Sequence, residues 1–145
     1  GQNTYWLSTD SGLVYWENGK SQLFLPPHVT HGDELIFRKI IPLPDSLLLV
    51  VARKGVFYFD IRQKTFLKSY RTVQGNGNGL PDTEVMDGWQ SKHETVYLST
   101  RMGVWMKKAN NKYFTLLAGL SNGAPTNLYM GITEDKAGVV WSNGL

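Results

Sequence analysis

The chain has 145 residues, 41% of them hydrophobic and 19% charged, which is the make-up of an ordinary soluble globular chain of one domain at most. It contains no cysteine, so a disulfide framework and thiolate metal sites are excluded. The net charge is +3, but lysines and arginines are scattered, with pairs such as Arg38-Lys39 and Lys107-Lys108 reading as solvated surface and not as a basic stripe for nucleic acid; no signal peptide is present and no apolar run approaches a membrane span.

Residues 5–16, YWLSTDSGLVYW, have the grammar of a β-hairpin. β-Branched and aromatic residues suit a pleated strand, and Asp10-Ser11-Gly12 forms the turn, with Gly12 expected at positive φ. A further strand carries the unit to about residue 25 before Pro26-Pro27. The loop 26–34 gathers His28, His31, Asp33 and Glu34. An H-x-x-H spacing on irregular chain fixes no metal geometry, so an exposed loop is expected there and no metal.

From residue 35 the pattern resumes. LLVVARKGVFYFD (48–60) is a second hairpin around Arg53-Lys54-Gly55, and KTFLKSY (64–70) follows it. GNGNGLP (75–81) spaces its glycines G-x-G-x-G and leads into Pro81 and a strand. It reads as a connecting loop, since a phosphate cradle needs G-x-G-x-x-G opening a helix. TEVMDGWQ (83–90) is the next strand, and TVYLSTRMGVWM (95–106) the third hairpin, turning at Arg101-Met102-Gly103. Ala109-Asn110-Asn111 turns into KYFTLL (112–117). Last come LYMGITED (128–135), the turn Asp135-Lys136-Ala137-Gly138, and GVVWSNGL (138–145), in which Ser142-Asn143-Gly144 reads as a shortened turn.

The hairpins are copies of one another. Aromatic-Leu-Ser-Thr, two variable residues, then Gly and an aliphatic occurs at Trp6–Leu13 and at Tyr97–Val104. Gly12 and Gly55 stand 43 positions apart, and Gly55 and Gly103 stand 48 apart. One repeat is therefore four short antiparallel strands, here called A to D, with the hairpin as B and C. Units of about 40–50 residues are the size of a propeller blade. The expected fold is all-β: a β-propeller fragment of about three four-stranded antiparallel blades. The expected repeats are 4–25, 35–70, 84–117 and 127–145, in one segment over 1–145. Starting inside strand B and stopping in a B–C turn, the chain is expected to be a fragment truncated at both ends, with Gly1 a cloning remnant.

Residues 78–108 resemble the two-component regulator propeller repeat. Gly79-Leu80-Pro81 match its opening, Glu134-Asp135 with Gly138 and Trp141 its middle, and Ser99-Thr100 with Gly103 its end. Ser99 replaces the usual Gly, and Val51-Ala52 stand where Ser-Thr would be. The resemblance implies a periplasmic sensory region of a hybrid histidine kinase, often one sensing carbohydrates.

The expected function is accordingly extracytoplasmic ligand recognition without catalysis. His28, His31 and His93 stand in no nucleophile or base setting, and no cofactor is expected. D–A loops (about 26–34, 71–83 and 118–127) and B–C turns should share one edge, where recognition belongs. Arg53 and Arg101, with Asp10, are the candidate contacts for a small-molecule or oligosaccharide ligand. Trp6, Tyr97 and Trp141 share a repeat position and are expected to pack one blade on the next, like the turn glycines Gly12, Gly55 and Gly103 structural in role. Self-association through blade edges is a further expectation. A propeller that binds a protein partner, and a propeller lyase or glycosidase, are the alternatives.

Overall fold

The computed structural model describes residues 3–29 and 32–144. The chain divides into two compact units, Gly1–Ser69 and Tyr70–Leu145. In the first, β1 (Thr4–Thr9), β2 (Gly12–Glu17) and β3 (Lys20–Phe24) form sheet I in that order. Sheet II follows as β4 (Phe37–Leu43), β5 (Leu47–Ala52), β6 (Gly55–Asp60) and β7 (Thr65–Arg71). Sheet III, mostly in the second unit's N-terminal half, holds β8 (Val85–Gln90), β9 (Val96–Thr100), β10 (Gly103–Lys107) and β11 (Thr115–Ala118). Sheet IV pairs β12 (Tyr129–Glu134) with β13 (Val140–Gly144). Within these sheets, strands that follow one another in the chain pair antiparallel. Among the described residues, helical structure is confined to 3-10 turns at Gly32–Leu35, Pro44–Ser46 and Leu120–Asn122. This is the all-β propeller fragment that the repeat pattern predicts, and the three hairpins fall where the turn glycines place them.

Burial grades across a blade. In sheet II, β5 and β6 are apolar without alternation and buried on both faces, from Leu48 to Phe59, as strands covered on two sides must be. The outer strand β7 is largely exposed and correspondingly rich in polar residues. Within the first unit, sheet I packs its Leu13, Trp6 and Phe24 face onto Phe37, Leu48, Val50, Phe57 and Phe59 of sheet II. Trp6 meets Phe59 with ring centroids 5.2 Å apart and the planes at 61°, and Phe66 closes on Phe59 at 4.9 Å. These edge-on arrangements suit the aromatic quadrupole. In the second unit, Val104, Tyr129 and Ile132 form a core with Trp89, Tyr97 and Val140 against it. Asp87 also ties β8 to β12. Its two carboxylate oxygens accept the Gly88 N–H (2.8 Å) and the Ile132 N–H (3.1 Å).

The turns repeat their chemistry as well. At one A–B turn, Asp135 Oδ1 accepts the Ala137 and Val139 N–H groups, while Asp135 and Val139 pair through their backbones. At the A–B turn of sheet III, Ser91 Oγ accepts from His93 and Thr95, with the same backbone pairing. A short side-chain acceptor thus replaces the missing ladder partners at both places.

Two expectations are corrected. Strand D of the third repeat begins at Thr115, not Lys112, because the Phe114 N–H is taken by the Asn78 carbonyl of the glycine-rich loop at 2.9 Å. Ser142-Asn143-Gly144 is no turn: these residues continue β13, and Gly144 pairs with Tyr129.

Phe59 is fully buried among three aromatic neighbours, Trp6, Phe24 and Phe66, whereas Trp6 is only half-buried. Phe59→Ala is expected to cost about 3–5 kcal/mol, with Trp6→Ala costing clearly less. Denaturant midpoints of the two variants check the order.

Candidate recognition edge

The conserved grammar Thr-x-x-Gly within this chain has a direct physical cause. Thr100 Oγ1 donates to the Gly103 carbonyl at 2.8 Å and accepts the Met102 N–H at 3.0 Å. Thr9 does the same with the Gly12 carbonyl (2.8 Å) and the Ser11 N–H (3.2 Å). The hydroxyl therefore locks each B–C turn from inside. In the middle copy Ala52 holds that place, and no hydroxyl is available to lock the turn. Gly12, Gly55 and Gly103 all adopt positive φ (136°, 139° and 118°), as expected. Gly103 is constrained further, since a Cβ there would stand 2.5 Å from the Ala118 carbonyl oxygen of strand D.

These turns meet the D–A loops. The Arg53 N–H donates to the Ile36 carbonyl (2.9 Å), and the Arg101 N–H donates to the Glu84 carbonyl (3.2 Å). In both complete blades the first turn residue is thus fastened to the residue that precedes strand A. Loop and turn share one edge, as the meander requires.

The loops on this edge are held by asparagine. In 75–81, Asn76 Oδ1 accepts the Asn78 N–H and Asn76 Nδ2 donates to the Leu80 carbonyl, both at 2.9 Å. Asn78 Oδ1 accepts the Leu80 N–H, and its Nδ2 donates to the Arg71 carbonyl, both at 3.0 Å. Asn122 repeats this part in the next loop, donating to the Leu117 carbonyl at 2.9 Å and accepting the Gly119 N–H at 2.7 Å. Each Asn-Gly loop is thereby clamped to the end of the preceding strand D. In 75–81 the side-chain amides take up the Asn78 and Leu80 N–H groups, which an anion would otherwise compete for.

The candidate contacts fall out as follows. Arg101 is exposed, and its Nε lies 2.9 Å from Glu84 Oε2, which is well covered. So exposed an ion pair adds little stability, but it fixes where the guanidinium points. Arg53 is half-buried and less available. Asp10 is exposed, with its Oδ1 accepting the Ser11 hydroxyl at 3.1 Å. Asp10 and Arg53 belong to the first unit and occupy equivalent turns of successive sheets; Arg101 belongs to the second. Glu84 is the residue the sequence reading missed. Its nearness to Arg101 depends on the pairing of β8 with β9, which no local pattern prints.

Among the described residues no group of three His, Cys, Asp or Glu could hold a metal ion. His28 is exposed, while His31 lies outside the described residues. Glu34, expected on an exposed loop, is buried within the Gly32–Leu35 turn.

Of the three aromatics at one repeat position, Trp6 and Tyr97 are half-buried against the next sheet's core. Burial, and next the Glu134 carboxylate, push the Tyr97 phenol above its ordinary pKa. Trp141 departs from the expected core role, being 60% exposed. Its indole N–H donates to Asp135 Oδ2 at 2.9 Å, and this bond, with the turn N–H groups, holds the Asp135 carboxyl below the usual carboxylate range.

No protein-family model matches the chain, and no curated protein matches it in sequence. Solved structures do match in fold. Two are the extracellular domain of BT4673 from B. thetaiotaomicron, named in one case a one component system and in the other a hybrid two component system, each with TM-score 0.71 and 12% identity over 98% of this chain. A third is the extracellular domain of the hybrid two component system BT3049 from B. thetaiotaomicron, with TM-score 0.66 and 20% identity over the whole chain. This chain spans 19% of the length of each.

Two outcomes are expected from the turns. Gly103→Ala combines a disfavoured φ with a clash against strand D and should cost about 2–4 kcal/mol by denaturant midpoint. Thr100→Val leaves a buried turn without its internal partner and should cost about 1–3 kcal/mol. Asp135 gives a pH test. With its folded pKa depressed, its contribution is full above the unfolded value of 3.8 and is lost as pH falls through the lower folded one. The Trp141 indole N–H resonance should therefore hold its position until the pH drops below 3.8 and then shift, and the Asp135→Asn variant should lack that step.

Proposed function

We propose that this chain is part of the extracytoplasmic sensor region of a two-component regulator, and that it recognises a ligand and performs no chemistry itself. The observation that carries this reading is the likeness of fold, over nearly the whole chain, to extracellular domains of hybrid two component systems. No helix among the described residues is long and apolar enough to cross a membrane. The localisation we propose is the periplasm.

The ligand we assign is a carbohydrate, bound at the edge where B–C turns and D–A loops meet. The support is chemical. Arg101 presents guanidinium N–H donors from an exposed turn, and Glu84 orients it through Nε. A forked donor set suits hydroxyl-rich or carboxylated sugars. The turns differ from copy to copy at Asp10-Ser11, Arg53-Lys54 and Arg101-Met102, while the hairpin and the positive-φ glycine beneath them recur in all three. A rigid scaffold with variable tips is the arrangement recognition surfaces use.

Calorimetry against a panel of glycans is the test. Arg101→Ala should weaken binding about tenfold or more, the loss of roughly one charge-assisted hydrogen bond, with the melting temperature unchanged. Arg53→Ala should act in the same direction and less strongly, since Arg53 is less exposed. Unchanged affinity in both variants would place the contacts elsewhere.

A further inference from the structure

Strand A carries the same irregularity in sheets II, III and IV. In sheet II, Phe37 pairs with Ala52 and Lys39 with Val51, so Arg38 is an extra residue on β4. In sheet III, Val85 pairs with Thr100 and Asp87 with Ser99, which leaves Met86 extra on β8. In sheet IV the step falls between Tyr129 and Gly131, which leaves Met130 extra on β12. A β-bulge of this kind adds one residue to a strand and re-aims a side chain, and such bulges gather beside binding sites. All three lie at the start of strand A, where it leaves the D–A loop.

The bulge also stands at a fixed place beside the B–C turn. Arg53 and Arg101 donate their N–H groups to the carbonyls of Ile36 and Glu84, two residues before Arg38 and Met86. Each complete blade therefore has a corner made of the bulged residue, the residue after it and the two turn residues. The two corners differ in charge. In sheet II the four positions are Arg38, Lys39, Arg53 and Lys54, all cationic. In sheet III they are Met86, Asp87, Arg101 and Met102. There the Arg101 guanidinium meets Glu84, and the Asp87 carboxylate accepts the Gly88 and Ile132 N–H groups.

Arg38 is exposed, and Lys39, Arg53 and Lys54 are half-buried. The carboxylates on this edge of the first unit are Asp10, Asp33 and Glu34, of which Glu34 is buried. The four cations of one corner outnumber them, however they pair. Like charges gathered this closely raise one another's energy, and an anionic group placed among them relieves it.

We propose that the corner formed by Arg38, Lys39, Arg53 and Lys54 binds the acidic group, a carboxylate or a sulfate ester, of an anionic oligosaccharide. This rests on the carbohydrate reading and narrows it to charged sugars. The two guanidinium groups offer forked N–H donors that suit paired oxygens, and the two ammonium groups add charge. The bulge makes room for this by adding Arg38 to strand A without shifting the rest of the strand out of register.

The test uses the whole chain and three probes of equal length: an oligogalacturonide, a sulfated galactan oligosaccharide and an uncharged galactan oligosaccharide. By calorimetry at low salt, at least one charged probe should bind about tenfold or more tightly than the uncharged one, the worth of roughly one charge-assisted contact. Which of the two does so identifies the acidic group. Added salt should shrink that preference, and so should Arg38→Gln, with the melting temperature unchanged. Arg38→Lys should restore part of it. Lys54→Gln, a change in the turn alone, should act in the same direction and less strongly. An uncharged probe that binds as tightly as the charged ones overturns the inference and leaves the carbohydrate reading standing. So does a charge preference that survives Arg38→Gln and Lys54→Gln together, which would put the acidic group elsewhere. If none of the three probes binds, this inference falls, and the carbohydrate reading is decided by the wider glycan panel.

Discussion

Nothing larger than a hydrogen atom fits between Gly103 and the Ala118 carbonyl, and the third blade is organised around that approach. Strand D can cross so close to the B–C turn only because the turn residue has no Cβ and accepts a φ of 118°. The Thr100 hydroxyl then locks the two intervening residues. With turn length fixed, the register of β9 and β10 is fixed, and so is the face on which every side chain of the hairpin lies. Gly12 meets the same limit against Phe24 and Leu25 in sheet I.

From that register follows the packing. Because Gly12 and Gly55 sit at the same offset in their hairpins, sheets I and II present matching rows. The Trp6 row of one lies on the Phe57 and Phe59 row of the other. In the second unit, the Tyr97 row lies on the core of Tyr129 and Ile132. The middle copy shows that the glycine is the stricter requirement of the two. It lacks the threonine, having Ala52, yet Gly55 keeps its φ of 139°. The strands on either side of that turn, β5 and β6, are buried on both faces.

The same geometry exposes a working surface. Turns locked from within and loops clamped by Asn78 and Asn122 spend their backbone groups internally, leaving side chains such as Arg101 to face outward. A scaffold of this kind changes specificity by changing tips, at little cost to its core. It also explains why a glycine-rich loop need not cradle an anion: in 75–81 the asparagine amides already fill that role.

The sequence by itself determined the repeat, the four-stranded meander, the hairpin positions and the positive φ of three glycines, because each of these is a local matter of alternation, turn length and the absence of a Cβ. It also placed loops and turns on one edge, which connectivity alone requires. Tertiary structure decided the rest. Glu84 meets Arg101 through a strand pairing 17 residues apart in the chain. Lys112-Tyr113-Phe114 left strand D because a distant loop claimed the Phe114 N–H. Trp141, alike in sequence to Trp6 and Tyr97, remains exposed, because burial depends on what lies across from a face and not on the residue that forms it.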